Sequence, residues 1–261
     1  MHSQEIRNAL SQACGQSTIM RKSLFKVMDW LTLKSWHVRR EIRKWMRNAP
    51  EKAHILDAGS GLGQNAYWLS CQREKYSVLA IDKESSQVCS GNTFVRDSHR
   101  VNLLFKTIRL EDFEANDAFD LILCTGSLEN TEDDQKALNN LHDALREGGM
   151  IITTVNRKYR ESDTSQTQAK RFGYHMDELK SLFRETGFHH VKAHYTAGKA
   201  GQTAQKLGIK FPMQLLNLSR AFALLLPFYY LFVIPVVATL NWLDSHTAIG
   251  SGQGILLLAK K

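Results

Sequence analysis

HILDAGSGLGQNAYWLS, residues 54 to 70, is the stretch that decides how this chain folds. Its apolar opening, His54–Leu56, reads as a short strand that closes on the acid Asp57. Gly59, Gly61 and Gly63 follow at alternate positions, and a helical pattern then runs through Ser70. A strand that turns on glycines into a helix puts a ligand at the carboxyl edge of a sheet, where bare backbone approaches it closely. Spacing narrows the ligand class. A dinucleotide loop of the G-x-G-x-x-G kind needs its third glycine at position 64, and that residue is Gln64.

Outward from this turn, short apolar runs alternate with amphipathic ones. Strands are predicted at Val78–Ile81, closed by Asp82, and at Leu103–Ile108, Phe119–Cys124, Met150–Val155, Val191–Tyr195 and Gly254–Ala259. One helix is predicted over Leu24–Trp45, with Ser35 interrupting its apolar series and Asn48-Ala49-Pro50 ending it. Lys22, Lys26, Arg39, Arg40, Arg43, Lys44 and Arg47 make it strongly basic. Two more helices are predicted at Gln135–Arg146, stopped by Gly148-Gly149, and at Met176–Thr186, ended by Gly187. The alternation implies an α/β class with a doubly wound parallel sheet. It divides the chain into a helical cap (1–49), a ligand-binding core (50–196), an apolar helical insert (197–251) and a final strand (252–261).

Composition agrees with a folded α/β domain carrying an elaboration: 261 residues, 43% hydrophobic and 23% charged, so disorder is not the default. The net charge of +8 suits an anionic partner, either a membrane surface or nucleic acid, or marks a merely basic soluble protein. Cys14, Cys71, Cys89 and Cys124 show no zinc spacing, so they read as reduced thiols in a cytosolic protein with no metal site. The first residues, MHSQEIRNALSQACGQ, lack the basic-then-apolar order of a signal peptide.

The turn reads D-x-G-x-G-x-G from Asp57, and Asp82 follows its last glycine by about 20 residues. Arg109-Leu110-Glu111, then FDLILCTGSLEN (119–130) and LREGGMIITTV (145–155) come in order after it. This ordered set resembles the class I S-adenosylmethionine-dependent methyltransferases, of the type 11-like kind. The resemblance implies a seven-stranded Rossmann-like sheet whose last strand is antiparallel, with S-adenosyl-L-methionine as cofactor. It implies that Asp57, Ala58, Gly59, Ser60, Gly61, Gly63 and Thr125 line the donor site and that Asp82, with Lys83 beside it, takes the ribose hydroxyls. Leu110 and Glu111 would then flank the adenine. Two positions depart from the family pattern: Arg109 stands where an acid is usual, and Gly126-Ser127-Leu128-Glu129-Asn130 where small-molecule enzymes often read Asp-x-x-Glu-His.

The donor's sulfonium already makes its methyl electrophilic, so alignment of the acceptor, worth roughly 7–11 kcal/mol, is the main task. A base is needed only if the acceptor must lose a proton. The catalytic candidates are His37 in SWHVRR, Glu129 and His175 in FGYHMDE, with Tyr174 and His194 behind them.

Between the sixth and seventh strands lies LSRAFALLLPFYYLFVIPVVATLNWLD (218–244), uncharged from Ala221 to Trp242. Its length would cross a membrane. If both flanking strands belong to one sheet, however, the chain must leave and return on the same side, beside the ligand edge. Pro227 and Pro235 predict a broken pair of short helices. The insert is therefore expected to be a lid. Either it lines an enlarged pocket or a homodimer contact, or it dips into one leaflet. The basic N-terminal helix, Tyr229-Tyr230, Trp242 and Arg220 favour the leaflet. With the preceding KAGQTAQKLGIKFP, the tail resembles a bacterial methyltransferase group with an apolar C-terminal lid.

The function expected is methyl transfer to a small hydrophobic or lipid-like acceptor (fatty acyl, polyene, quinone or isoprenoid) by a cytoplasmic protein bound peripherally to the inner membrane face. A catalytically silent donor-binding subunit is the alternative. Nucleic-acid methylation is disfavoured: the fourth motif lacks an Asn/Asp-Pro-Pro-aromatic signature, no cysteine follows a proline, and no RNA-binding module is recognisable.

Overall fold

A computed structural model describes residues 17–158, 173–219, 222, 224–247 and 249–261. Cys14 and Arg220 lie outside them. The elements in order are α1 (Thr18–Leu31), α2 (Leu33–Met46), β1 (His54–Ala58), α3 (Gln64–Ser70), β2 (Ser77–Asp82), α4 (Ser85–Asp97), β3 (Leu103–Thr107), β4 (Phe119–Thr125) and α5 (Asp134–Ala144). Then come β5 (Leu145–Asn156), α6 (Met176–Glu185), β6 (His189–Thr196), α7 (Lys199–Gln205), α8 (Phe211–Leu218), α9 (Leu226–His246) and β7 (Gly254–Lys260).

The strands form one seven-stranded sheet in the order β3-β2-β1-β4-β5-β7-β6. Pairs among β1 to β5 are parallel, and β7 runs antiparallel to both of its neighbours. Successive residues in these strands are both apolar because both faces are covered. Ile55, Leu121, Ile152 and Leu256 pack under α2, α3 and α4, whereas Leu56, Ile122, Ile151 and Leu257 pack under α5 and α6. The order reverses between β1 and β4, which opens a crevice at their carboxyl ends.

Four local expectations are corrected. The basic N-terminal segment is two helices, because Thr32 turns to extended backbone. Its hydroxyl bonds the Met28 carbonyl at 2.6 Å and the Ser35 hydroxyl at 2.7 Å. Helix α4 was not foreseen, since only Val88 and Phe94 among its large apolar residues are buried. Gly91 instead lets it sit on the Phe105 ring, which a Cβ there would approach to 2.8 Å. Helix α5 stops at Ala144, and Leu145 already begins β5. Finally, the insert holds one continuous 21-residue helix, α9, with Pro227 in its first turn and Pro235 inside it. The bond lost at Pro235 would involve the carbonyl of Leu231, an outward-facing residue, so the packed side stays intact.

Helix α9 has a packed side and an outer side. Tyr230, Val233, Ile234, Val237 and Leu240 meet Leu31, Ala204 and Leu207. The hydroxyls of Tyr229 and Tyr230 donate to the Leu207 and Gly208 carbonyls at 2.7 and 3.0 Å. Those carbonyls belong to a π-helical segment, Lys206–Lys210, that joins α7 to α8. The tyrosines expected at a lipid interface thus spend their hydroxyls inside the insert. Phe228, Leu231, Phe232 and Trp242 point outward.

Part of the expected basic face is internal, although Lys26, Arg43, Lys44 and Arg47 stay exposed. Arg39 is buried, pairs with Asp29 at 2.5 Å and stacks over Trp68. Arg40 donates to the Ser245 carbonyl. Arg21 is buried against the Leu62 and Ser90 carbonyls at 2.8 Å each.

Candidate active site

The glycine loop is tied to the end of β2. The N–H groups of Gly59 and Ser60 both donate to the Ile81 carbonyl at 2.9 Å, and the Gly61 N–H donates to Asp82 Oδ2 at 2.7 Å. Asp82 Oδ1 accepts from the Glu84 N–H at 3.0 Å, so one carboxylate holds the loops after β1 and β2 together. A Cβ on Gly59 would overlap Ser127, and one on Gly63 would overlap Phe105. Those two glycines are required by packing. Gly61 is different: its φ is +54°, and a Cβ there would meet nothing within 4 Å. It faces a cavity of about 460 Å³.

Gly59, Ser60, Gly61 and Thr125 line one end of that cavity. Met28, Leu31, Leu33 and Val38 from α1 and α2, with Gln205 and Ile209 from the insert, line the other. Asp57 sits beneath the loop, fully buried. Burial pushes its carboxyl up to about 7, against the pull of the Ala66 N–H and with help from the Asp82 charge. Its Oδ2 accepts from Ala66 N–H at 3.1 Å, while Oδ1 has no hydrogen-bond partner among the described residues.

Of the catalytic candidates, only His37 reaches the cavity. Its Nε2 lies 3.0 Å from Asp244 Oδ1, and the two side chains are 3% and 1% exposed. Asp244 Oδ2 accepts from the Gly201 N–H at 2.9 Å. Burial acts to raise the Asp244 carboxyl, but the bonds from His37 and Gly201 outweigh it and hold the group below its ordinary range. His194, on β6, has its ring centroid 6.2 Å from that of His37. Burial, then the nearby His37, holds it below the usual histidine range. Asp244 was missed at the sequence level, although Asn241, Asp244 and Ser245 are polar residues at helical spacing closing an apolar run.

The remaining candidates lie outside the cavity lining and make contacts elsewhere. Glu129 is buried and accepts from both the backbone and side-chain nitrogens of Asn156, the latter at 2.7 Å, so it clamps the turn after β4 to the end of β5. His175 is exposed at the start of α6, away from the cavity lining, and Tyr174 is buried with its hydroxyl on Asp134 at 2.8 Å. Leu110 packs into the core rather than lining the cavity. Glu111 accepts from the Glu132 N–H at 2.6 Å, and Lys83 lies 3.5 Å from the Asn130 carbonyl. Ala58 is a buried core residue whose carbonyl accepts from Ser127 at 2.8 Å.

Residues 56–151 match the family described as a methyltransferase domain, and the sheet carries the antiparallel seventh strand that the resemblance implies. Residues 56–151 thus form a methyltransferase domain of the class I kind. A ubiquinone biosynthesis O-methyltransferase of Rickettsia felis is 33% identical over 112 residues, which are 42% of this chain and 44% of that relative. A tRNA U34 carboxymethyltransferase of Alteromonas mediterranea is 30% identical over 119 residues, 42% of this chain and 36% of that one. The chain therefore spans less than half the length of the curated relatives it matches. Among solved structures, phosphoethanolamine N-methyltransferase 2 of Haemonchus contortus, bound to S-adenosyl-L-methionine, superposes with a TM-score of 0.60 at 14% identity, over 85% of this chain and 52% of that one. The [4+2]-cyclase SpnF gives 0.58 at 16% identity, over 93% and 80%.

The methyltransferase core fits S-adenosylmethionine on two observations of its own. The open face of Gly61 leaves room for a ligand against bare backbone, and the unpartnered oxygen of Asp57 suits a cationic, hydrogen-bonding one. Asp82 borders this end without lining the cavity, and its carboxylate keeps acceptor capacity beyond its two backbone bonds. Asp82→Ala is expected to weaken donor binding by about 1–3 kcal/mol through lost charged hydrogen bonds. Calorimetry showing unchanged affinity would remove Asp82 from the donor site.

Proposed function

We propose that this chain is an S-adenosylmethionine-dependent methyltransferase that modifies a hydroxyl on a hydrophobic, quinone-like acceptor at the cytoplasmic face of a membrane. The observation that carries this reading is the single cavity shared by the glycine loop and the apolar insert. Asp57, Gly59, Ser60, Gly61 and Asp82 would hold the donor, which supplies an electrophilic methyl group when bound. Met28, Leu31, Leu33 and Ile209 give the opposite end an apolar wall, which suits an acceptor ring or chain. The curated relatives named for ubiquinone biosynthesis support an oxygen acceptor of the quinone class.

Membrane delivery is supported by the outer side of the insert. Phe228, Leu231 and Phe232 are 68%, 68% and 73% exposed, with Leu224 and Trp242 also uncovered. A soluble monomer rarely leaves so much apolar surface in water. Lys206 and Lys210 of the insert and Lys26 of α1 are exposed and suit anionic headgroups. Burying each large side chain stabilises by about 1.5–3 kcal/mol. Phe228→Asp with Phe232→Asp is therefore expected to weaken pelleting with anionic vesicles at least tenfold. Unchanged pelleting, or a concentration-dependent dimer that the same changes dissolve, would refute the lipid reading.

Transfer itself is tested by incubating the full chain with labelled donor and a membrane lipid extract. A methylated, lipid-soluble product is expected. The silent-subunit reading draws on the departures at Gly126 and Asn130. Donor binding without any transfer to the extract would favour it. Transfer to RNA instead would favour the nucleic-acid reading.

A further inference from the structure

We propose that His37 and Asp244 form an acid–base pair in which His37 takes the proton of the acceptor hydroxyl at Nδ1 and Asp244 positions the ring. The inference rests on the methyl-transfer reading of the cavity and assigns its base. With Asp244 accepting at 3.0 Å, the ring proton sits on Nε2, and Nδ1 is left as a bare acceptor. That atom is buried and has no partner among the described residues, on a side chain that lines the cavity. A buried lone pair without a donor is a standing cost that a ligand hydroxyl would relieve. Asp244 is held in turn by the Gly201 N–H, so base, orienting carboxylate and backbone anchor come from α2, α9 and α7.

In the step proposed, the acceptor proton moves to Nδ1 and both electrons of the O–H bond stay on oxygen. That oxygen pair forms the new bond to the transferred methyl carbon, and the old carbon–sulfur pair remains with the departing sulfur. The imidazolium, balanced by the Asp244 carboxylate, later returns its proton to water. The titratable groups facing the ring are His194 on β6 and Asp244 on α9, and Glu41, Lys44 and Arg40 of α2 act on the adjoining His194. Arg40 is committed to the Ser245 carbonyl. Because Asp244 comes from the insert, the base is assembled only when α9 is docked on α2.

The competing role is a staple that merely holds α9 to α2. A probe that reports its own ionisation separates the two. 4-Nitrocatechol, an apolar-ringed hydroxyl compound whose phenolate absorbs visible light, is titrated from pH 5 to 8 with saturating full-length protein. The wild type is expected to lower the probe's apparent pKa by at least one unit, a tenfold gain in the ionised form. His37→Gln and the near-isosteric Asp244→Asn are expected to bind the probe, keep donor affinity and lose that shift. Absence of the shift in the wild type, failure of the wild type to bind the probe, or a full shift in His37→Gln overturns the pair. An Asp244→Asn variant that melts earlier yet keeps the shift reduces it to a staple. Calorimetry with the donor runs alongside: a wild type that binds no donor overturns the methyl-transfer reading instead.

Discussion

Gly61→Val is expected to bind the donor at least a hundredfold more weakly than the wild type, a loss of about 2.8 kcal/mol or more. The residue has φ +54°, and its missing Cβ points into open space inside the cavity. A valine there fills that space with two methyl groups and forces a β-branched residue into the left-handed region. The backbone strain alone costs about 1–2 kcal/mol of stability. Gly61→Ala carries much of the same strain with a smaller side chain, so it separates the two effects. Donor calorimetry and thermal melts on both variants make the comparison. A valine variant that binds within threefold of the wild type would show that the donor lies elsewhere.

The second large effect concerns Asp57. Burial raises its carboxyl from the ordinary 3.8 to about 7, roughly three pH units, which corresponds to about 4 kcal/mol. The folded state therefore holds a proton that the unfolded chain has already released. Linkage then makes this group's contribution fall as pH rises from about 4 to 7 and level off above that. Measured by urea denaturation, the stability difference between wild type and Asp57→Asn is expected to swing by about 4 kcal/mol between pH 4 and 8, with the asparagine variant favoured at high pH. A constant difference would mean that Asp57 titrates normally. Binding should respond in the opposite sense: a cationic donor favours the ionised carboxylate, so affinity rises with pH through about 7 in the wild type and not in the variant.

Most of the sheet was readable from local pattern. Runs such as Ile55-Leu56, Ile151-Ile152 and Leu256-Leu257 are apolar at successive positions because strands covered on both faces must be. The donor end of the site was readable for a similar reason, since Asp57, Gly59, Gly61 and Gly63 lie within one turn of chain. Helix α4 was not readable, because much of its contact with β3 runs through Gly91 and the paired Asn92–Phe105 hydrogen bonds, with few large apolar residues beside them. The acceptor end was readable only in part. His37 reaches the cavity, but Glu129, His175, Leu110 and Glu111 carry plausible chemistry on side chains already engaged in clamps, a helix start or the core.

Read alone, the chain carried the positions of the strands along it, the bend at Asp57 to Gly63 and the presence of an uncharged 22-residue run ahead of the last strand. These follow from spacing along a few residues, where side-chain period and glycine backbone freedom act locally. Three things came only with the folded arrangement. His37 meets Asp244 across 207 positions of sequence. Two basic residues of α2, Arg39 and Arg40, turn inward to Asp29, Trp68 and Ser245. The proline-bearing run survives as one helix because its packed side keeps its contacts. Each depends on which surfaces the sheet brings together, and burial, not local propensity, selects among the partners that residue type alone would allow.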